Sequence, residues 1–424
     1  MASRTAYFDR IRLKNVRCFR DAEIPFDKRV TVIVGGNASG KTTLLEAIAS
    51  VTFGDGEGLK DFPLRHGAAR GEVALYQGGR KPAAKWDSSE AVRSRLPADR
   101  YVFLYGRYRR VLLPDSLAEP RNLTDVQYLD ELASHAGNSR TLTLTRPDNR
   151  LLQDLSGYLR GLNLGRASDP RLETLWSRLN AALPEMDDSF SGIRMDAGAT
   201  ALVPHFIRND IALEIEELSD GYQAVLAIVL DLMMRYAYLF LEGDPLDGSA
   251  LVGIDEVDLH LHPRWQRTVL PHLTNLFPNT QFILTTHSPI VVQAAIDQNF
   301  TVLRLTEKKG EVTAEPLSHR LAKQLRGADI GSLLFEDHLF GVESRFSVEY
   351  AEIENRVDKL QALVSSGAAT EADYREIKKA VDTLEELVAK EDRRRADGST
   401  MSQMVRMQGA FVKALTDELE KARS

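Results

Sequence analysis

Short apolar runs without alternation recur along the 424-residue chain. They are VTVIVGG (30–36), RYVFLYG (100–106), ALVGI (250–254) and QFILTT (281–286). Such runs predict strands. The first, β-branched and closed by glycines, predicts a buried parallel strand. Other stretches have helical spacing. TTLLEAIASV (42–51) combines that spacing with good helix formers. SDPRLETLWSRLNAALPEM (168–186) predicts one amphipathic helix. EELSDGYQAVLAIVLDL (216–232) predicts a long helix with Ser219 as its candidate N-cap. That helix continues into the most apolar run, AVLAIVLDLMMRYAYLFL (224–241), which carries Asp231 and Arg235. Opposite charges at i,i+4 predict a buried helix of a soluble protein rather than a membrane span.

After residue 320 the pattern changes. RGADIGSLLFEDHLFGVESRF (326–346) mixes glycines with apolar residues and predicts a turn-rich connector. Tyr350, Ile353, Val357, Leu360 and Val364 then recur at spacings of three and four, as do Tyr374, Ile377, Val381, Leu384 and Val388. SSGAA (365–369) separates the two series, and Thr370 suits an N-cap. The pattern predicts an antiparallel helical hairpin, then a charged loop (391–399) and a last helix. The hairpin serves either as packing on its own head or as a platform for a second protein. No sustained heptad pattern or internal repeat is visible in the segment from about 70 to 215.

Composition narrows the class. A chain that is 43% hydrophobic can bury a substantial core, as two or three domains or lobes. The formal net charge of -7 gives no general attraction to nucleic acid, although a local basic patch is compatible with it. Arg107, Arg109 and Arg110 form one such candidate for nucleotide or nucleic acid, or a solvated basic edge. A single cysteine, Cys18, excludes a disulfide framework and fits a reducing cytoplasm. The first residues, MASRTAYFDRIRLK, contain no apolar signal core.

The chemistry sits where the predicted strands end. Gly35, Gly36, Asn37, Ala38, Ser39, Gly40, Lys41, Thr42 and Thr43 join a predicted strand to a predicted helix. Gly35, Gly40, Lys41 and Thr42 match G-x-x-x-x-G-K-[ST] in the context that motif requires. Glycines let the backbone wrap phosphate, and the helix N-terminus adds positive potential. Lys41 can reach the β- and γ-phosphates of ATP, and the Thr42 hydroxyl can ligate Mg²⁺. Such a loop needs a magnesium carboxylate and a group that activates water. Asp255 and Glu256, at the end of ALVGI, suit those two tasks. His287, at the end of QFILTT, lies where ligands bind in open α/β sheets. A neutral imidazole there can hydrogen-bond the γ-phosphate or the water. Ser219 and the backbone near Gly221 can present a helix N-terminus to phosphate.

The order GGNASGKTT, LSDG, VGIDE, TTHSP resembles an ABC-type ATPase head. IRLKNVRCFRDAEIPF ahead of the loop and DEVDLHLHP after the second strand resemble the SMC, RecF and OLD branch rather than transporters. The likeness extends to single-chain bacterial antiphage ATPases of the Septu type. It covers roughly residues 8 to 320.

The resemblance implies an α/β P-loop head, residues 1–320, with a parallel sheet core, an antiparallel β lobe and a helical lid inserted at about 111–215. Residues 321–424 then form a C-terminal helical region for assembly or partner binding. It implies a homodimer or higher homo-oligomer with two ATPs sandwiched between protomers. Residues 35–43 of one copy would face Ser219 and Gly221 of the other. Asp258 would lie in the loop crossing the interface, and His287 would act as the switch histidine. It also points to a separately encoded effector nuclease, because the chain shows neither a Toprim acidic cluster nor a His/Asn metal-finger pattern.

There are departures. Asp220 stands where many heads have glycine, and Gln77 is the nearest candidate for the glutamine usual after the first helix. His260 and His262 read as a packed loop rather than a metal pair. Three functions are consistent with the sequence: an effector-controlling ATPase, a RecF-like repair ATPase whose main role is ATP-gated DNA binding, and an ATP-holding scaffold with little turnover. A membrane-bound transport ATPase fits least.

Overall fold

A computed structural model describes residues 7–52, 63–88, 100–107, 140–142, 155–198, 202–308, 310–328, 330–335, 339 and 340, with isolated positions beyond. The chain divides into two compact units, residues 1–340 and 341–424. The predicted hairpin, charged loop and last helix lie outside the described residues, as do Arg109 and Arg110.

In chain order the first unit contains β1 (Arg10–Val16), β2 (Phe19–Pro25), β3 (Val30–Gly35), α1 (Lys41–Thr52), β4 (Glu72–Tyr76), β5 (Pro82–Asp87), β6 (Tyr101–Tyr105) and β7 (Arg140–Leu142). There follow α2 (Leu155–Gly165), α3 (Pro170–Met186), β8 (Phe190–Ala197), β9 (Leu202–Arg208), β10 (Ile211–Leu213) and α4 (Asp220–Leu239). The unit closes with β11 (Ala250–Ile254), α5 (Pro263–Leu276), β12 (Gln281–Thr285), α6 (Pro289–Asp297), β13 (Thr301–Lys308), β14 (Glu311–Pro316), α7 (His319–Leu325) and α8 (Ile330–Phe335). Helix α8 falls inside the stretch that reads in sequence as a turn-rich connector. Its Leu333 is buried in the main core, which gives this short apolar segment a surface to fold on.

Seven strands form the central sheet in the order β14-β13-β3-β12-β11-β6-β7. All its pairings are parallel except β13 with β14. The uninterrupted apolar runs follow from this arrangement, since both faces of the sheet are covered. Val32, Val34, Phe103, Tyr105, Val252, Ile254, Phe282 and Leu284 enter one core with α3, α4, α5 and α6. The alternate residues Ile33, Val102, Leu104, Leu251 and Ile283 enter a second core with α1 and the antiparallel sheet β2-β1-β4-β5. Gln281 fastens the antiparallel sheet to the parallel one. Its amide accepts from Phe8 N (2.9 Å) and donates to Phe8 O (2.7 Å) and Asp27 O (2.8 Å).

Helix α4 is long and apolar enough to cross a membrane by composition, but 78% of its most apolar window is buried inside the fold. The charges within it pair as the spacing predicts. Arg235 Nε donates to Asp231 Oδ2 at 2.7 Å, and Tyr105 Oη donates to the same oxygen at 2.6 Å. Beside α4 lie α2, α3 and the three-stranded sheet β10-β9-β8, in the segment expected from the sequence to form a lid. Asp169 caps α3, its carboxylate accepting from Arg171 N at 2.9 Å.

Candidate active site

The carboxyl ends of β3, β11 and β12 lie side by side, and a cleft of about 520 Å³ opens there. Its lining includes Asn37, Ala38, Ser39, Gly40, Lys41, Thr42 and Thr43, together with Asp255, Glu256 and His287. The loop between β3 and α1 turns through Ala38 and Gly40, both with positive φ. Glycine is required at 40. Its φ is +96°, and a Cβ there would stand 2.7 Å from Cys18 Sγ and 2.9 Å from the Phe19 ring. The N-terminus of α1 is thereby drawn against β2.

Lys41 Nζ donates to the carbonyls of Gly35 (2.8 Å) and Gly36 (2.9 Å). Burial pulls its pKa below the usual lysine range, and the charges of Asp255, Glu256 and Asp258 offset part of that. Thr42 Oγ1 donates to Asp255 Oδ2 at 2.8 Å. The other oxygen of Asp255 accepts from Thr285 Oγ1 at 2.6 Å. Glu256 follows in a left-handed conformation (φ 49°), with its N–H donating to Thr285 Oγ1 at 2.8 Å. Thr285 therefore orients both acidic residues, one through its hydroxyl proton and one through its lone pairs. His287 is exposed on the rim.

Ser219, Gly221 and Asp258 are not part of this lining. Ser219 occupies the N-cap position of α4, but its exposed side chain makes no capping hydrogen bond. The turn is braced instead by Gln223, whose amide donates to Leu218 O at 2.7 Å, and by the Glu214–Glu217 capping box just before it. Gly221 packs directly on the loop after β11, where a Cβ would lie 2.4 Å from His260 O. Asp258 accepts from Thr286 Oγ1 at 2.5 Å. His262 caps α5 through Nδ1, accepting from Arg264 N at 3.3 Å. Among the described residues no group of three His, Cys, Asp or Glu side chains could hold a metal. Gln77 lies in the β4–β5 connection and does not line the cleft.

Sequence reading missed several cleft residues. Arg17, in the β1–β2 turn, faces the cleft and bonds Glu46 and, at 3.4 Å, Thr43. Burial pushes the Glu46 carboxyl up, and Arg17 partly offsets this. Cys18 also lines the cleft, with its thiol pKa raised by burial. Arg107, named above in the candidate basic patch, also faces the cleft, two residues past the end of β6. Thr285 and Thr286 carried a legible signal, as polar residues ending an apolar strand beside a candidate histidine.

Residues 30–293 match the family described as "AAA domain, putative AbiEii toxin, Type IV TA system". The "Retron Ec83 probable ATPase" of Escherichia coli is 29% identical over 286 residues, covering 62% of this chain and 48% of that protein. The "Septu protein PtuA" of Bacillus mycoides (strain KBAB4) is 36% identical over 114 residues, covering 27% of this chain and 16% of that one. The crystal structure titled "SmcHead bound to the C-winged helix domain of ScpA" superposes with a TM-score of 0.46 at 17% identity, over 74% of this chain and 99% of that one. The chain spans less than half the length of each of the two sequence relatives. The family match covers more than half of the 424 residues and includes β3, the phosphate loop, α4, β11 and β12. The chain therefore belongs to this AAA-domain family.

Proposed function

We propose that the chain is a magnesium-dependent ATPase whose sites are completed across a head-to-head homodimer, and that it controls a partner effector nuclease in antiphage defence. The observation that carries the catalytic part is the 2.8 Å contact between Thr42 and Asp255. It joins the end of the phosphate loop to the end of β11, on the floor of a cleft that also holds Lys41, Glu256 and His287.

The residues fit the groups this reading requires. Thr42 Oγ1 and Asp255 Oδ2 are adjacent hard oxygen donors of the kind Mg²⁺ prefers. Ser39 Oγ, buried within the loop, has no hydrogen-bond partner among the described residues and suits a phosphate oxygen. When bound, Mg²⁺ neutralises charge on the phosphates. Lys41 adds a positive charge close to them. Glu256 accepts the proton of the attacking water, in an orientation set by its N–H bond to Thr285. His287 hydrogen-bonds the γ-phosphate or that water from the rim. Ser219 and Gly221 lie outside their own cleft with the Ser219 hydroxyl exposed, which supports their meeting the nucleotide of a second copy. Asp258, in the loop after β11, would lie in the segment that crosses between the copies. The matches to retron and Septu proteins support the defence role. The region 321–424 is proposed as the assembly or partner-binding part, and the cytoplasm as the location.

Glu256→Gln tests the chemistry. It should leave ATP binding intact and lower turnover by about 10²-fold or more, the scale of a lost general base. Equal turnover in mutant and wild type would remove Glu256 from the role.

A further inference from the structure

Around the exposed turn at the start of α4 the fold places a polar cluster that the proposed catalysis does not use. The buried carboxylate of Asp187, at the end of α3, accepts from the hydroxyl of Tyr222, from Ser189 N (2.9 Å) and from Trp265 Nε1 (3.4 Å). Burial opposes its charge, yet these bonds hold its carboxyl well below the usual range. The Tyr222 phenol is pushed up to about 12 by partial burial and by Asp187. The Tyr222 ring meets Trp265 edge-on at 4.5 Å and Phe190 at 5.2 Å, with the Arg208 guanidinium 5.2 Å from its centroid. Lid, α4 and α5 thus meet on one side chain.

Tyr222 directly follows Gly221. Gly221 rests on the His260 carbonyl, His260 is two residues from Asp258, and Asp258 is bonded to Thr286 beside His287. A continuous line of contacts therefore runs from the lid, through the turn, to the rim of the same copy's cleft. A tyrosine needed only for packing could be phenylalanine. Here its hydroxyl binds an ionised carboxylate that also holds the first turn of α5.

We infer that Asp187 and Tyr222 are positioning residues, which lock the Ser219–Gly221 turn in register with the Asp258 loop so that a second copy can dock on it. This rests on the proposed nucleotide-sandwich dimer. It adds that pairing depends on a clamp that lies outside the cleft lining.

The test uses the full chain carrying Glu256→Gln, alone and combined with Tyr222→Phe or with Asp187→Asn. Nucleotide affinity is read with a fluorescent ATP analogue, self-association by analytical ultracentrifugation in Mg-ATP, and folding by thermal melting. The expected result is unchanged nucleotide affinity with Mg-ATP-dependent association weakened roughly tenfold or more, the order set by loss of one charge-assisted hydrogen bond. Association equal to that of Glu256→Gln alone would overturn the clamp and leave the dimer reading standing. Nucleotide affinity and melting temperature falling together would make the cluster merely structural, which also overturns it. If Glu256→Gln alone stays monomeric in Mg-ATP, the dimer reading fails and takes this inference with it. Tyr222→Phe removes one hydroxyl from a half-buried ring, so it guards against a folding defect in Asp187→Asn.

Discussion

Lys41 combines two properties that usually oppose each other. It is largely buried, and among the described residues its ammonium is satisfied by the backbone carbonyls of its own loop together with distant carboxylates. Burial therefore favours its neutral form, whereas bound phosphate would favour the charged one. The pKa of Lys41 is then lower in the free protein than in the ATP complex. ATP affinity should be flat below the free value and should fall as pH rises through the window between the two. That window opens below the ordinary lysine value. Affinity measured against pH checks this. Lys41→Ala should bind weakly and without that slope, and an equal slope in the mutant would assign it to another group. Other residue-scale features depend on juxtaposition that no linear motif carries. Arg17 and Thr43 are 26 residues apart and Thr42 and Asp255 are 213 apart, yet each pair is in contact.

At the scale of elements, α4 matters most. It carries the Ser219 turn at one end and a buried ion pair in its middle. Asp231 is fully buried, bonded to Arg235 and Tyr105, and Tyr105 O accepts from Asp255 N at 2.8 Å. The helix is thus tied to the floor of the cleft through the neighbouring strand β6. Removing one partner of such a pair leaves an uncompensated buried charge. Asp231→Ala should cost roughly 3–5 kcal/mol in denaturant unfolding. A loss under 1 kcal/mol, at the level of an exposed pair, would show that water reaches Arg235.

The parallel strands were legible because burial on both faces removes alternation. The long helices were legible through their period and the Asp231–Arg235 spacing. The sheet order was not, because parallel neighbours such as β3 and β13 are joined by long crossovers that leave no local signal. Ser219 occupies the N-cap position that its place in the sequence predicts. The capping hydrogen bond is absent because Gln223 and the Glu214–Glu217 box already fasten the turn.

At the scale of the whole molecule, the solvent face of the antiparallel sheet bears on the DNA-gated alternative. Arg12 pairs with Asp21 at 3.0 Å, Arg10 with Glu23 at 3.5 Å, and Lys85 with Glu72 and Asp87 at 3.4 Å each. Among the described residues these cations are interleaved with anions on that face.

In the proposed dimer each nucleotide is held by the phosphate loop of one copy and the Ser219 turn of another. Subunit complementation tests it most directly. A Lys41→Ala chain retains its turn, and a Ser219→Arg chain retains its phosphate loop. Each alone should hydrolyse ATP at background rate. An equimolar mixture should recover about a quarter of the wild-type rate, because half the pairs are mixed and each mixed pair holds one intact site of two. A mixture as inactive as its parts, with both chains folded and Ser219→Arg still binding ATP, would contradict the account.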